Sequence, residues 1–109
     1  MAERIKISDV LEAVVKKNAI IVDILEPDVY KKLHIKNAIN VPVKNFEELM
    51  PEKVDPEKRV IVYGLDYEDP TARITAEKME KMGYKNVEYY EGGKKEWLRA
   101  ELPVDGKES

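Results

Sequence analysis

The stretch YGLDYEDPTAR, residues 63 to 73, places three carboxylates, Asp66, Glu68 and Asp69, within four positions. Clustered carboxylates are the usual raw material for binding a hard divalent cation, although EF-hand spacing is absent here. Asp69 followed by Pro70 also has the form of a helix N-cap with proline in the first helical position. An aspartyl-phosphate role for Asp69 would need a metal and a phosphate-binding lysine as well. Arg73 lies inside the following helical pattern, where pairing with Asp69 or Glu77 is the simplest expectation. Gly64 and Leu65 open the loop. Tyr67, amid the acids, is either a packing lid or an exposed anchor, since aromatics are favoured at interface hot spots. The single histidine, His34, has no evident partner for base catalysis and is expected to pack.

These side chains must be held by the flanking elements. RVIVY, residues 59 to 63, is a continuous apolar run and reads as a strand covered on both faces. TARITAEKMEKMGY continues as a helix, so the acids occupy a strand-to-helix loop, a favoured place for chemistry in an α/β domain. AIIVDI (19 to 24), AINVPV (38 to 43) and NVEYY (86 to 90) read as further strands. Helices are expected from Ser8 as N-cap to about Asn18, over PDVYKKL, over FEELM after Asn45, and over KKEWLRA. In the first of these, Val10, Leu11, Val14 and Val15 form the apolar stripe. PEKVDPEK reads as a polar turn. Trp97 is expected to build core with Val14, Leu98, Met79 and Met82, and Tyr89 and Tyr90 to divide between core and surface. Alternating strands and helices imply parallel pairing through right-handed crossovers, hence a three-layer α/β fold with a small, mainly parallel sheet flanked by helices. The expected organisation is one domain over 1–104 and a disordered tail over 105–109.

Composition narrows the function. With 109 residues, 43% hydrophobic and 38% charged, the chain suits one folded domain. The formal net charge of −3 argues against nucleic acid or an anionic membrane as partner. No apolar run approaches a membrane span, and charges occupy the place of a secretory signal's apolar stretch, so a cytoplasmic location is expected. Cys is absent, which excludes disulfides, thiolate metal sites and a cysteine nucleophile. Gln is absent too, while Lys and Glu abound, a bias that fits a thermophile protein.

Three segments resemble the rhodanese-like (sulfurtransferase) family. IVDILEPDVYKKLHIKNAINVP is similar to its first signature, with Asp23, Glu26, Tyr30, His34, Ile35, Ala38 and Pro42 matching. VIVYG, the helix that follows it, and GYKNVEYYEGGKKEW resemble the second half, with Gly83, Val87, Gly92, Gly93 and Trp97 in place, then Leu102-Pro103-Val104. The resemblance implies a persulfide-carrying cysteine cradled by loop amides at a helix N-terminus. In an ungapped register with one subgroup, Gly64 stands at a first cysteine and Asp69 at the nucleophile. A short-loop register puts Gly64 at the nucleophile instead. The arginine of the family's Asp-x-Arg is also missing, because Leu25 stands there.

A carboxylate cannot hold a persulfide, so the resemblance and the residues together imply a non-catalytic module. Its former active-site loop, residues 64 to 70 with Arg73, would contact a protein partner. No cofactor is expected. The alternative is an enzyme of another class using Asp66, Glu68 and Asp69 with a divalent metal.

Overall fold

The structure is a computed structural model, described here over residues 2–107. Five strands form one parallel sheet: β1 (Glu3–Ile5), β2 (Ile20–Asp23), β4 (Ile39–Asn40), β5 (Arg59–Tyr63) and β6 (Asn86–Tyr90), in the order β1-β6-β5-β2-β4. Two further short strands, β3 (His34–Ile35) and β7 (Val104–Asp105), pair antiparallel as a separate ribbon. The helices are α1 (Ile7–Lys16), α2 (Pro27–Lys32), α3 (Phe46–Lys53), α4 (Thr71–Lys81) and α5 (Gly93–Arg99).

The pleat sorts the core. Along β5, Val60 and Val62 point to one face and join Phe46 and Met50 of α3 with Ala72, Ala76 and Met79 of α4. Ile61 and Tyr63 point to the other, with Val10, Ala13 and Val14 of α1 and Trp97 of α5. Successive side chains of a strand face opposite ways, and a sheet covered on both sides is apolar at every position. That is why RVIVY shows no alternation. Tyr89 and Tyr90 obey the same rule: both are buried, on opposite faces, and neither lies at the surface. Trp97 and Met79 likewise lie on opposite sides of the sheet, not in one cluster, and Leu98 is partly exposed.

Several local expectations change. Helix α1 begins at Ile7, and its entry is closed by Asp9, whose carboxylate accepts the Lys6 N–H at 3.0 Å; Ser8 lies within the helix. Val15 is 71% exposed, because Ala13 takes the inward position beside Val10 and Val14. Helix α3 continues through Pro51 to Lys53 where a turn was expected, since Phe46 and Met50 anchor it and the Val54 N–H returns to the Met50 carbonyl at 2.8 Å. The tail is ordered through Lys107: β7 pairs with β3, Asp105 accepts the Asn37 N–H at 2.9 Å, and the Lys107 N–H reaches the Lys31 carbonyl at 2.9 Å. Polar composition suggested disorder there, but its side chains and amides close the ribbon. Glu108 and Ser109 lie outside the described residues.

After β2 the chain moves outward to β4, whereas after β5 it moves the other way to β6. The carboxyl ends of β2 and β5 therefore form the topological switch point, where open parallel sheets place their ligand crevices. The loop after β5 is pinned there by α5. The Lys94 N–H donates to the Gly64 carbonyl at 3.0 Å and the Lys95 N–H to the Leu65 carbonyl at 2.9 Å. Gly93 makes this possible: its φ is +66°, and a Cβ on it would lie 2.7 Å from the Gly64 oxygen.

Two costs thus fall on any side chain at Gly93, left-handed backbone and backbone overlap. Gly93→Ala is expected to lose roughly 2–4 kcal/mol in urea unfolding. Gly83→Ala is the control. Its φ is +106°, but nothing lies within 4 Å of a Cβ there. It should lose only the conformational part, so equal losses would show that the contact with Gly64 carries no weight.

Candidate functional site

Gly64 ends the β5 backbone in tight surroundings, with Ile24 and Ala72 in van der Waals range of where its Cβ would be. Leu65 and Tyr67 are exposed, Tyr67 at 59%. Asp66 turns back on its own loop: its carboxylate accepts the Glu68 N–H at 3.1 Å, and its carbonyl accepts the Asp69 N–H at 3.3 Å. Lys95 lies 3.5 Å from the same carboxylate. Asp69 accepts the Thr71 N–H at 2.9 Å and is also bonded by the Thr71 hydroxyl. Helix α4 starts at Thr71 with Pro70 at its cap position, one residue later than expected, yet the carboxylate of Asp69 does satisfy a first-turn amide. Arg73 pairs with Glu77 at 3.6 Å, one helical turn on.

The loop's own acids thus occupy the amides of Glu68 and Thr71, and a loop carbonyl takes that of Asp69. An external anion would have to displace a tethered carboxylate to reach them. The loop tip is held as well: Glu96 accepts a hydrogen bond from the Tyr67 hydroxyl at 2.7 Å and another from Tyr90 at 2.6 Å. Both tyrosine hydroxyls are pushed above their ordinary range, Tyr67 chiefly by the hydrogen bond to Glu96 and Tyr90 chiefly by burial. Asp66, Glu68 and Asp69 point to no shared centre. Among the described residues, no group of three His, Cys, Asp or Glu side chains could hold a metal.

Beneath the loop lies a polar group that sequence reasoning did not assemble. Asp23, wholly buried, accepts the Tyr63 hydroxyl at 2.5 Å and the Leu25 N–H at 2.8 Å. Tyr63 in turn accepts the Ile35 N–H at 3.0 Å, tying β5 to β3. Burial pushes the Asp23 carboxyl above its ordinary value, against those two hydrogen bonds and the positive charge of Lys94. The same burial, reinforced by the Asp23 charge, raises Tyr63 well above its ordinary range. Lys94 is itself buried, and its ammonium donates to the Val29 carbonyl at 3.1 Å. It supplies Asp23 with a positive charge. One sequence signal was available: Lys94 and Trp97 are three apart on α5, so they share its inward face. His34 packs as expected, stacked on Tyr30 with ring centroids 3.8 Å apart and its Nδ1–H on the Tyr30 carbonyl at 2.7 Å.

Fold and site together describe a sulfurtransferase-like α/β domain whose β5–α4 loop holds no thiol. The profile of the rhodanese-like domain matches residues 7–100, and the chain belongs to that family. Thiosulfate sulfurtransferase GlpE of Coxiella burnetii is 31% identical over 97 residues, 89% of this chain and 88% of that protein. The tRNA uridine(34) hydroxylase of Hamiltonella defensa is 33% identical over an alignment of 109 positions that covers 93% of this chain but only 29% of that protein. Among solved structures, a Bacillus halodurans protein superposes with a TM-score of 0.89 at 26% identity, covering 98% of this chain and 79% of its own. A rhodanese-related protein from Thermoplasma volcanium has the same fold, with a TM-score of 0.82 at 23% identity over 96% of this chain and 99% of its own. The Coxiella protein is named for sulfur transfer, whereas this chain has no cysteine anywhere.

Two expectations follow. Removing the Glu96 carboxylate (Glu96→Ala) or only the Tyr67 hydroxyl (Tyr67→Phe) should speed amide hydrogen exchange at residues 66 to 69, roughly three- to tenfold, without changing the core strands. Unchanged exchange would mean that the tip is held by its own turns. The second concerns pH. Because the folded-state pKa of Asp23 lies above its unfolded value, its contribution is fully present below the unfolded pKa of about 3.8 and falls as pH rises through the folded pKa. Wild type should therefore gain stability relative to Asp23→Asn as pH falls from about 7 to 4 in paired urea titrations. A gain in the opposite direction would show that the Lys94 charge and the hydrogen bonds outweigh burial.

Proposed function

We propose that this chain is a rhodanese-like domain that carries no sulfur and serves as a protein-binding or regulatory module through the β5–α4 loop. The observation that carries this reading is the internal filling of the loop by Asp66 and Asp69 in a chain with no thiol. Persulfide chemistry needs a thiolate that can attack and hold sulfur, and a carboxylate does neither. Two more facts favour binding over catalysis. Asp66 and Glu68 put negative charge where an anionic sulfur donor would have to arrive. Tyr67 and Leu65 are exposed on a loop whose backbone is fixed by α5, so an aromatic anchor is presented at low entropic cost.

The test has two arms. Thiocyanate formation from thiosulfate and cyanide should stay at background for the wild-type protein, and turnover there would overturn the non-catalytic half of the reading. Affinity capture from the native cell extract should then be compared with a variant in which residues 65 to 68 are replaced by Gly and Ser. Partners that depend on the loop should vanish with the replacement. A set of captured proteins indifferent to it would overturn the binding half.

A further inference from the structure

Two hollows meet at Tyr67. One, of about 390 Å³, lies where β1 runs into α1 and β6 into α5, with Ile5, Ile7 and Tyr90 among its lining. The other, of about 270 Å³, lies between the β5–α4 loop and α5. Tyr67, Gly92 and Glu96 line both. Gly92 has no side chain, so the partition is the Tyr67 side chain, tied to Glu96 by its hydroxyl at 2.7 Å. With that side chain turned outward the hollows join into one cleft, within the roughly 300–1,000 Å³ of small-molecule sites.

Of the two phenols on Glu96, Tyr67 is the one free to leave. Tyr90 is 1% exposed and packs edge-on against Trp97, whereas Tyr67 is 59% exposed. Tyr67 donates to Oε2 of Glu96 and Tyr90 to Oε1, so the departure of Tyr67 leaves the Tyr90 bond intact. It also leaves a carboxylate oxygen without its donor, in a hollow that Ile5 and Ile7 line. Water restores the hydrogen bond but wets the apolar lining, and a phenol restores the bond and covers the lining. Charge favours neither sign of ligand, because four cations and four carboxylates line the two hollows together. Arg4 pairs with Glu91 at 3.3 Å and Lys95 with Asp66 at 3.5 Å, which leaves Lys6 and Arg99 against Glu68 and Glu96. An ion of either sign meets a like charge there, so an uncharged ligand fits the joined cleft best.

We propose that Tyr67 is the built-in occupant of a single ligand cleft, and that a small uncharged phenol displaces it and takes over its hydrogen bond to Glu96. The loop tip then has two states, one with Tyr67 seated and one with Tyr67 outward and the ligand on Glu96. This goes beyond the binding-module reading and does not need it, because no protein partner enters the argument.

The experiment is a titration of isotope-labelled wild-type protein with p-cresol, followed by amide chemical shifts up to about 20 mM ligand. Shifts are expected at residues 5–7, 66–68 and 91–96, with the amides of 66–68 moving toward their positions in Tyr67→Phe. The same ring without the donor, p-methylanisole, should bind at least about fivefold more weakly. Tyr67→Ala, at an exposed position, should bind p-cresol roughly five- to twentyfold tighter, because the internal competitor is gone. Raising salt to about 0.5 M should leave the affinity unchanged. Equal binding of the two rings would overturn the part given to Glu96. Binding by Tyr67→Ala but not by wild type, no gain in Tyr67→Ala, or shifts that leave 66–68 unmoved would each overturn the displacement. Shifts centred elsewhere, or none in either protein, would overturn the site itself.

Discussion

Everything at the functional end of this protein depends on the contact between the first turn of α5 and the backbone that leaves β5. Two amides of α5, on Lys94 and Lys95, meet two carbonyls, on Gly64 and Leu65. Each satisfies a need of the other, since a helix start has amides with no partner inside the helix and a strand end has carbonyls with no neighbouring strand. The approach is closer than any side chain at Gly93 would permit. From this one contact follow the fixed direction of the loop, the placement of Glu96 beneath Tyr67, and the burial of Lys94 between α2 and the loop. The neighbouring Gly92 serves the same turn, because a Cβ there would lie 2.1 Å from the Glu96 carboxylate oxygen.

The buried group below the loop shows what such a fold asks of polar residues. Asp23 is taken out of water, which is unfavourable for its charge, and it is offset by a hydroxyl, an amide and a cation, each from a different element. Tyr63 passes the connection on to β3 through the Ile35 amide. The result is a cross-brace among β2, β3, β5 and α5 at the end of the sheet where loops alone would otherwise close the structure. The positive charge that acts on Asp23 comes from Lys94, about seventy residues away in sequence.

The loop's acids meet the start of α4 by the same physics that would hold an external anion there. Unpaired amides at a helix start favour any anion. With Asp69 and Asp66 present, the anion is part of the chain and cannot leave, so the site is full at rest. The solvent side of the loop carries the exposed Tyr67 ring and the exposed Glu68 carboxylate.

Much of this was readable from the residues alone. RVIVY, apolar from Val60 on, and NVEYY, rich in branched and aromatic residues, are strands to the residue, and the helix between them follows from its spacing. The loss of sulfur chemistry follows from composition, because no arrangement of a chain without cysteine can make a persulfide. Local patterns could not supply what depends on distant partners. Strands β1, β3 and β7 are two or three residues long, too short for any periodicity, and exist because another segment lies alongside them. Pro51 and the polar tail were misread for the same reason: buried Met50 and the ribbon partner His34–Ile35 outweigh local preference. The clamp of Glu96 on Tyr67 and the charge of Lys94 near Asp23 also join residues far apart in the chain. Sequence by itself determined the longer strands and helices and which chemistry is impossible, since both are properties of neighbours and of composition. Only the tertiary structure decided that the acids of the loop are spent on its own amides, because hydrogen bonds are settled by distance and direction in space.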